Sequence, residues 1–202
     1  LVEHYADSQP VIVHPDHTPA FANGSQDGIL ESQARSTPSE VFTVTFKPGD
    51  KVVYPHHGAA VVEKREKRTV FGEETEYLVL RMAHGEMMLS VPVDKVEEVG
   101  MRWPISTEDV EDLFEVLGKR DVREPANWSR RFKNHQEKLK SGDVYQVAEV
   151  VRNLALRDQA KGLSAGEKSL YTKARSVLVS ELSFALDVSE DDATDKVDAA
   201  LV

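Results

Sequence analysis

The sequence predicts an α+β protein: a small, strongly bent antiparallel sheet followed by an all-α domain. Two observations carry this. Between Phe46 and Val99, short β-branched and aromatic runs are separated by glycine turns, with no helical period. Past Gly100 the apolar residues recur every three or four positions, and Ser or Asn stands where helices would begin.

The β region reads in order. Pro48-Gly49-Asp50 is a turn, and Lys51-Val52-Val53-Tyr54 is the first strand. Pro55-His56-His57-Gly58 breaks it before a second strand runs from Ala59 to near Thr69. After the Phe71-Gly72-Glu73 turn, Tyr77 to Met82 alternates as a third strand, and Met87 to Val91 follows the His84-Gly85-Glu86 turn. Val96 to Val99 completes five expected strands, enough for a small barrel-like binding module.

Five helices are expected after it. Ser106 with Asp109 opens the first, containing Val110, Leu113, Phe114 and Leu117, and Gly118 ends it. Pro125 and Asn127 open the second, whose stripe is Trp128, Phe132, His135 and Leu139. The third carries Val144, Val147, Val151 and Leu154 and ends near Gly162. Ser164 with Glu167 is a clear capping box for a long fourth helix, and Ser189 with Asp192 starts a short fifth. Residues 1–43 differ from all this: Pro10, Pro15, Pro19 and Pro38 interrupt a polar stretch, and disorder is the expectation there.

Composition narrows the function. With no cysteine among 202 residues, disulfides, thiol chemistry and thiolate-held metals are excluded, and a reducing, cytoplasmic setting fits. No 20-residue apolar span or signal-peptide pattern is present, so neither a membrane role nor secretion is expected. The formal net charge of -10 argues against nucleic acid at first sight. Its distribution argues otherwise. Residues 126–175 hold eleven basic and five acidic side chains, net +6, while residues 1–125 are net -10 and residues 176–202 net -6. A basic block inside an acidic chain points to a polyanionic partner, or to a solvated helical surface.

No catalytic pattern emerges. There is no phosphate-cradling loop, nucleophile elbow or His-Glu-x-x-His pair. His56 and His57 are adjacent, so in a strand they face opposite ways, and they read as a turn-flanking pair rather than metal ligands. No catalytic residue, metal or cofactor is expected.

Asn127-Trp128-Ser129-Arg130-Arg131-Phe132-Lys133 stands out. In one reading Trp128 is a core anchor continuing its helical stripe, and the chain is a protein-interaction adaptor that does not bind DNA. In the other, the indole stacks on or wedges against a base while helix N-terminal amides and cations grip phosphates. Lys138, Lys140, Arg152, Arg157, Lys161, Lys168, Lys173 and Arg175 would extend that surface if they share a face.

Four segments in order resemble the CarD family of bacterial RNA-polymerase-binding transcription regulators, in its shorter, CdnL-like form. They are Lys51-Val52-Val53-Tyr54-Pro55-His56-His57-Gly58-Ala59-Ala60, Glu76-Tyr77-Leu78-Val79-Leu80, Glu124-Pro125-Ala126-Asn127-Trp128-Ser129-Arg130-Arg131, and Gly162-Leu163-Ser164-Ala165-Gly166-Glu167-Lys168. The resemblance implies a Tudor/SH3-like β domain over 44–100 that binds the RNA polymerase β subunit, and a DNA-binding helical domain over 101–202. Family members stabilise the open promoter complex without reading sequence, and act as cytoplasmic, nucleoid-associated factors. A monomer is expected.

By this resemblance Trp128 is the wedge in the minor groove at the upstream edge of the bubble. Arg130, Arg131, Lys133, Lys168 and Arg157 are the expected DNA contacts around it. Arg68, Thr69, Met88 and Ser90 are the expected polymerase-contacting set, with Ser90 standing where mycobacterial-type relatives carry a second arginine. The β domain alone is also similar to part of the repair-coupling helicases, but no motor fits in this length.

Overall fold

The structure is a computed structural model and describes residues 45–201 except Phe71 and Glu86. The expectation for residues 1–43 lies outside the described residues. Four strands form an antiparallel meander in the order β1-β2-β3-β4: β1 Lys51–Tyr54, β2 Gly58–Val70, β3 Glu73–Met82 and β4 Met88–Pro92. A register shift between Val62 and Lys64 marks a bulge in β2, which bends the long β2–β3 ribbon. The concave face buries Phe46, Val52, Ala60, Val62, Leu78, Leu80, Met82 and Val91.

The expected fifth strand does not form. Pro92 ends β4, Val93–Lys95 is a single 3-10 turn, and turns continue to Gly100 at φ +72°. The β-branched Val96 signals burial here, not extension: it folds under the sheet and packs in the same core. The chain pairs with β1 only later, where Val53 and Arg102 exchange backbone hydrogen bonds of 2.7 and 3.2 Å.

The five helices are α1 Val110–Gly118, α2 Trp128–Lys140, α3 Val144–Lys161, α4 Ala165–Leu186 and α5 Glu190–Ala200. Ser106 accepts from the Asp109 amide one turn ahead of α1, so that cap sits on the approach to the helix and not on its first turn. The other expected caps form, Asn127 accepting from Arg130, Ser164 from Glu167 and Ser189 from Asp192, and Asp143 caps α3 as well by accepting from Tyr145. Each such cap contributes about 1 kcal/mol. The central α3 and α4 bury Val147, Val150, Val151, Leu154, Leu178 and Leu182 against Leu113, Leu117, Ala193 and Val197 of the flanking helices.

Sheet and helices pack into one unit. The β1–β2 turn lies against α4, where the Ala59 amide donates to Ser180 Oγ at 3.1 Å. Gly58 is required twice over, since its φ is +89° and a Cβ would fall 2.5 Å from Ser180 Oγ. Arg102 makes a bidentate pair with buried Glu181 at 2.6 and 2.9 Å and donates to the Gly142 carbonyl at 2.8 Å. The link between sheet and helices is thus pinned by a charge-assisted fork rather than left free.

Candidate nucleic-acid interface

Trp128 is the first residue of α2 and is 46% exposed. Its stripe-mates sink progressively into the helical domain: Phe132 is half-buried, and His135 and Leu139 are buried. The indole stacks on Phe132 with centroids 5.1 Å apart and planes 12° from parallel. Its Nε1 donates to Ser164 Oγ at 3.3 Å. Both rings lie over the first turn of α4, within van der Waals reach of Gly166. An apolar plate therefore projects from the place where the N-termini of α2 and α4 meet. Both helix ends present positive dipole there, which favours a phosphate beside the plate.

The support beneath the plate is ionic and dry. Arg131 is 3% exposed and Glu167 1%. The guanidinium donates to Glu167 Oε1 at 2.9 and 3.2 Å, and to the carbonyls of Pro125 and Ala126 at 3.1 and 3.3 Å. Glu167 Oε2 accepts from the Ser164 hydroxyl and amide at 2.8 and 3.1 Å. Burial opposes its ionisation, but the Ser164 and Arg131 hydrogen bonds and the nearby Arg157 outweigh that, holding the carboxyl at about 2. The capping box of α4 thereby positions the indole through Ser164 and the preceding loop through Arg131.

This corrects one expected DNA contact, Arg131. Arg131 lies inside the domain, fully engaged, and acts as a strut. Arg157 is half-buried, with Nε 3.1 Å from Glu167 Oε1 but not aligned to donate, and it belongs to the same cluster. Arg130, Lys133 and Lys168 are exposed around the indole's helices, Lys133 only 3.7 Å from Glu137 on its own helix. The basic block also overstates the surface. Arg152 is buried and donates to Asn153 and the Val116 carbonyl, Lys138 pairs with Glu149, and Arg175 forks onto Asp198. Another internal cluster joins buried His135 to Glu124 at 2.5 Å, and Asn153 donates to the same oxygen at 2.9 Å. Sequence reasoning found Ser164 and Glu167 as a cap but missed their hold on Trp128, which depends on a contact across thirty-six residues.

On the sheet, Arg68 is exposed, lies over the Tyr77 ring at 5.2 Å and donates to Ser90 Oγ at 3.1 Å. Glu66, two residues back on the same face, pairs with it, and Lys64 and Arg68 together hold that carboxylate below its usual range. Met88, exposed, shares a face with Ser90 by strand alternation, whereas Thr69 points to the face opposite Arg68. The structure so joins Arg68 to Ser90, with Met88 further along the same face, and sets Thr69 apart.

Residues 46–103 match the domain family described as the CarD-like/TRCF RID domain, and residues 112–198 match the CarD C-terminal domain. The Bacillus subtilis (strain 168) protein named "Putative transcription factor YdeB" is 30% identical over 145 residues, covering 72% of this chain and 95% of that one. The chain belongs to the CarD family. The solved structure of "CdnLNt from Myxoccoccus xanthus" is 41% identical, covers 33% of this chain and 93% of that chain, and superposes with a TM-score of 0.29. CarD-family proteins are transcription regulators rather than enzymes. Among the described residues no group of three or more His, Cys, Asp or Glu could hold a metal ion, and no helix is long and apolar enough to cross a membrane.

Proposed function

We propose that this CarD-family protein is a transcription initiation regulator with two contact surfaces. Its β domain, 44–100, binds the RNA polymerase β subunit through the Arg68 face, with Ser90 beside the guanidinium and Met88 on the same face. Its helical domain, 101–202, binds promoter DNA at the upstream edge of the bubble. Trp128 wedges into the minor groove there, and Arg130, Lys133 and Lys168 contact the backbone, stabilising the open complex. It would act in the cytoplasm, at the nucleoid, on polymerase.

The observation that carries this reading is the half-exposed indole, stacked on Phe132 and fixed through Ser164. A core tryptophan would be buried, so the adaptor reading loses its premise. An apolar plate between two helix N-termini suits a distorted base step flanked by phosphates. The contact proposed is an apolar wedge with backbone cations rather than bidentate readout of base edges in a major groove, so little base selectivity is expected. Two weak contacts joined in one folded unit gain from effective concentration, which lets an acidic protein that binds DNA weakly on its own, at low salt, hold it firmly when polymerase presents it.

The test is open-complex lifetime with wild type, Trp128→Ala and Arg68→Glu. Trp128→Ala shortens the lifetime while polymerase binding persists, and Arg68→Glu shortens it by losing recruitment. A folded Trp128→Ala variant with a wild-type lifetime would refute the wedge.

A further inference from the structure

A trough leads away from the indole. Two adjoining clefts, of about 300 and 460 Å³, are lined from Phe132 and Gly166 beneath the plate to His56, His57 and His84 of the sheet's turns. Along α4 its floor is Gly166, Ser169, Lys173 and Ser176, a single helical stripe spaced three or four residues apart, and Lys140 of α2 stands on its wall. No carboxylate occurs among the described lining residues of either cleft. That is unusual in a chain with a net charge of -10, and three other clefts each include Glu124, Asp187 or Glu190.

The sheet's contribution is held under strain. His56 sits in the left-handed region at φ +68° without being glycine. Its turn is fixed on both sides, by Ser180 bonding Ala59 and by Pro55 against Gly142, where a Cβ would meet the proline ring at 3.1 Å. A rigid turn thus presents two imidazoles to two lysines.

We infer that this trough is a second phosphate-binding track, taking the nucleic-acid backbone beyond the wedge along α4 and onto the β1–β2 turn. The inference rests on the DNA-binding reading above and extends it to residues of the β domain. From Gly166 to Ser176 the track spans roughly 15 Å at 1.5 Å per residue. Hydroxyls and lysines contact phosphate without reading bases.

The histidines add a pH dependence. Burial first, then Lys173, lowers the affinity of both imidazoles for protons, with His57 and Lys140 also acting on His56. A phosphate in the track would oppose that shift and favour their protonation. His84 is the third imidazole facing the track, and its Nδ1 lies 3.6 Å from Glu190 on the outer rim.

The experiment titrates the full chain into a short fluorescent forked duplex over a range of salt. Lys140→Gln/Lys173→Gln changes two exposed side chains, so the fold is retained. The expected result is a salt slope shallower by about 1 to 2, at ~0.9 for each phosphate no longer neutralised. In addition, wild-type binding tightens several-fold as pH falls through and below the ordinary imidazole value of 6.5, because burial and Lys173 hold both groups below it in the free protein. His56→Asn/His57→Gln removes that gain, asparagine being chosen for its tolerance of the left-handed backbone. Wild-type slope and affinity in the double lysine variant would overturn the track while leaving the wedge standing. Failure of wild type to bind at low salt would overturn both, which separates the two readings.

Discussion

Trp128 and Arg68 are the exposed centres of the two halves of this protein, and they are held in opposite ways. Beneath Trp128 lie Arg131 and Glu167, an ion pair removed from water and completed by Ser164 and two loop carbonyls. Around Arg68 the partner Ser90 is at the surface and Glu66 only half-buried. Exposed pairs contribute about 0–1 kcal/mol and are easily exchanged for a partner's carboxylate, whereas a buried pair enforces one geometry. One surface is a fixed tool and the other an adaptable grip. The proposed roles fit this: a wedge would need to be rigid to hold an unstacked base step, while a docking arginine would gain from freedom to find its mate.

The largest effect should follow from breaking the fixed half. Glu167→Gln leaves the Arg131 guanidinium buried without its counter-charge, and a loss of about 3–5 kcal/mol is expected in urea unfolding. Open-complex lifetime should fall with it even though residue 167 is buried and cannot reach DNA. A loss below about 1 kcal/mol would place the pair among those that do little, and the comparison would collapse.

Acid sharpens the same contrast. The Glu167 carboxyl sits at about 2 in the folded protein against an ordinary 4.5, so the folded state favours the ionised form. The unfolded chain therefore takes up the proton first as pH falls. This contribution to stability is complete above about 4.5 and disappears as pH drops toward about 2. Unfolding free energy measured across that window should slope more steeply for wild type than for Glu167→Gln, and equal slopes would remove Glu167 from the account.

How much of this was legible beforehand depends on the range of the interaction. The helices were readable because caps and apolar stripes act within a turn: Ser164 and Glu167 announce α4 from three residues apart. The meander was readable from its turns, but Val96 was not, since a buried valine in a tight turn has the composition of a strand. In the site, the tryptophan and its exposed cations stood out, whereas Arg131 next door could not be told from Arg130. Helical rotation points one to solvent and the other to Glu167, a partner thirty-six residues away. Charge counting failed for the same reason, because Arg131 and Arg152 contribute to the sum but not to the surface.

The smallest expected effect tests the adaptable half. Ser90 stands in the middle of the Arg68 face and accepts one hydrogen bond from it in the free protein. Ser90→Ala removes an exposed neutral contact, so folding stability should change by less than about 0.5 kcal/mol. If Ser90 merely steadies the guanidinium, affinity for the polymerase β subunit should fall by about 1 kcal/mol or less, within tenfold, because the freed arginine can still reorient. A loss as large as that of Arg68→Glu, measured by titration against isolated β subunit, would mean that Ser90 fixes the arginine as Ser164 fixes the indole. The sheet would then be a second rigid tool, and the distinction between the two halves would lie only in the depth of the charges beneath them.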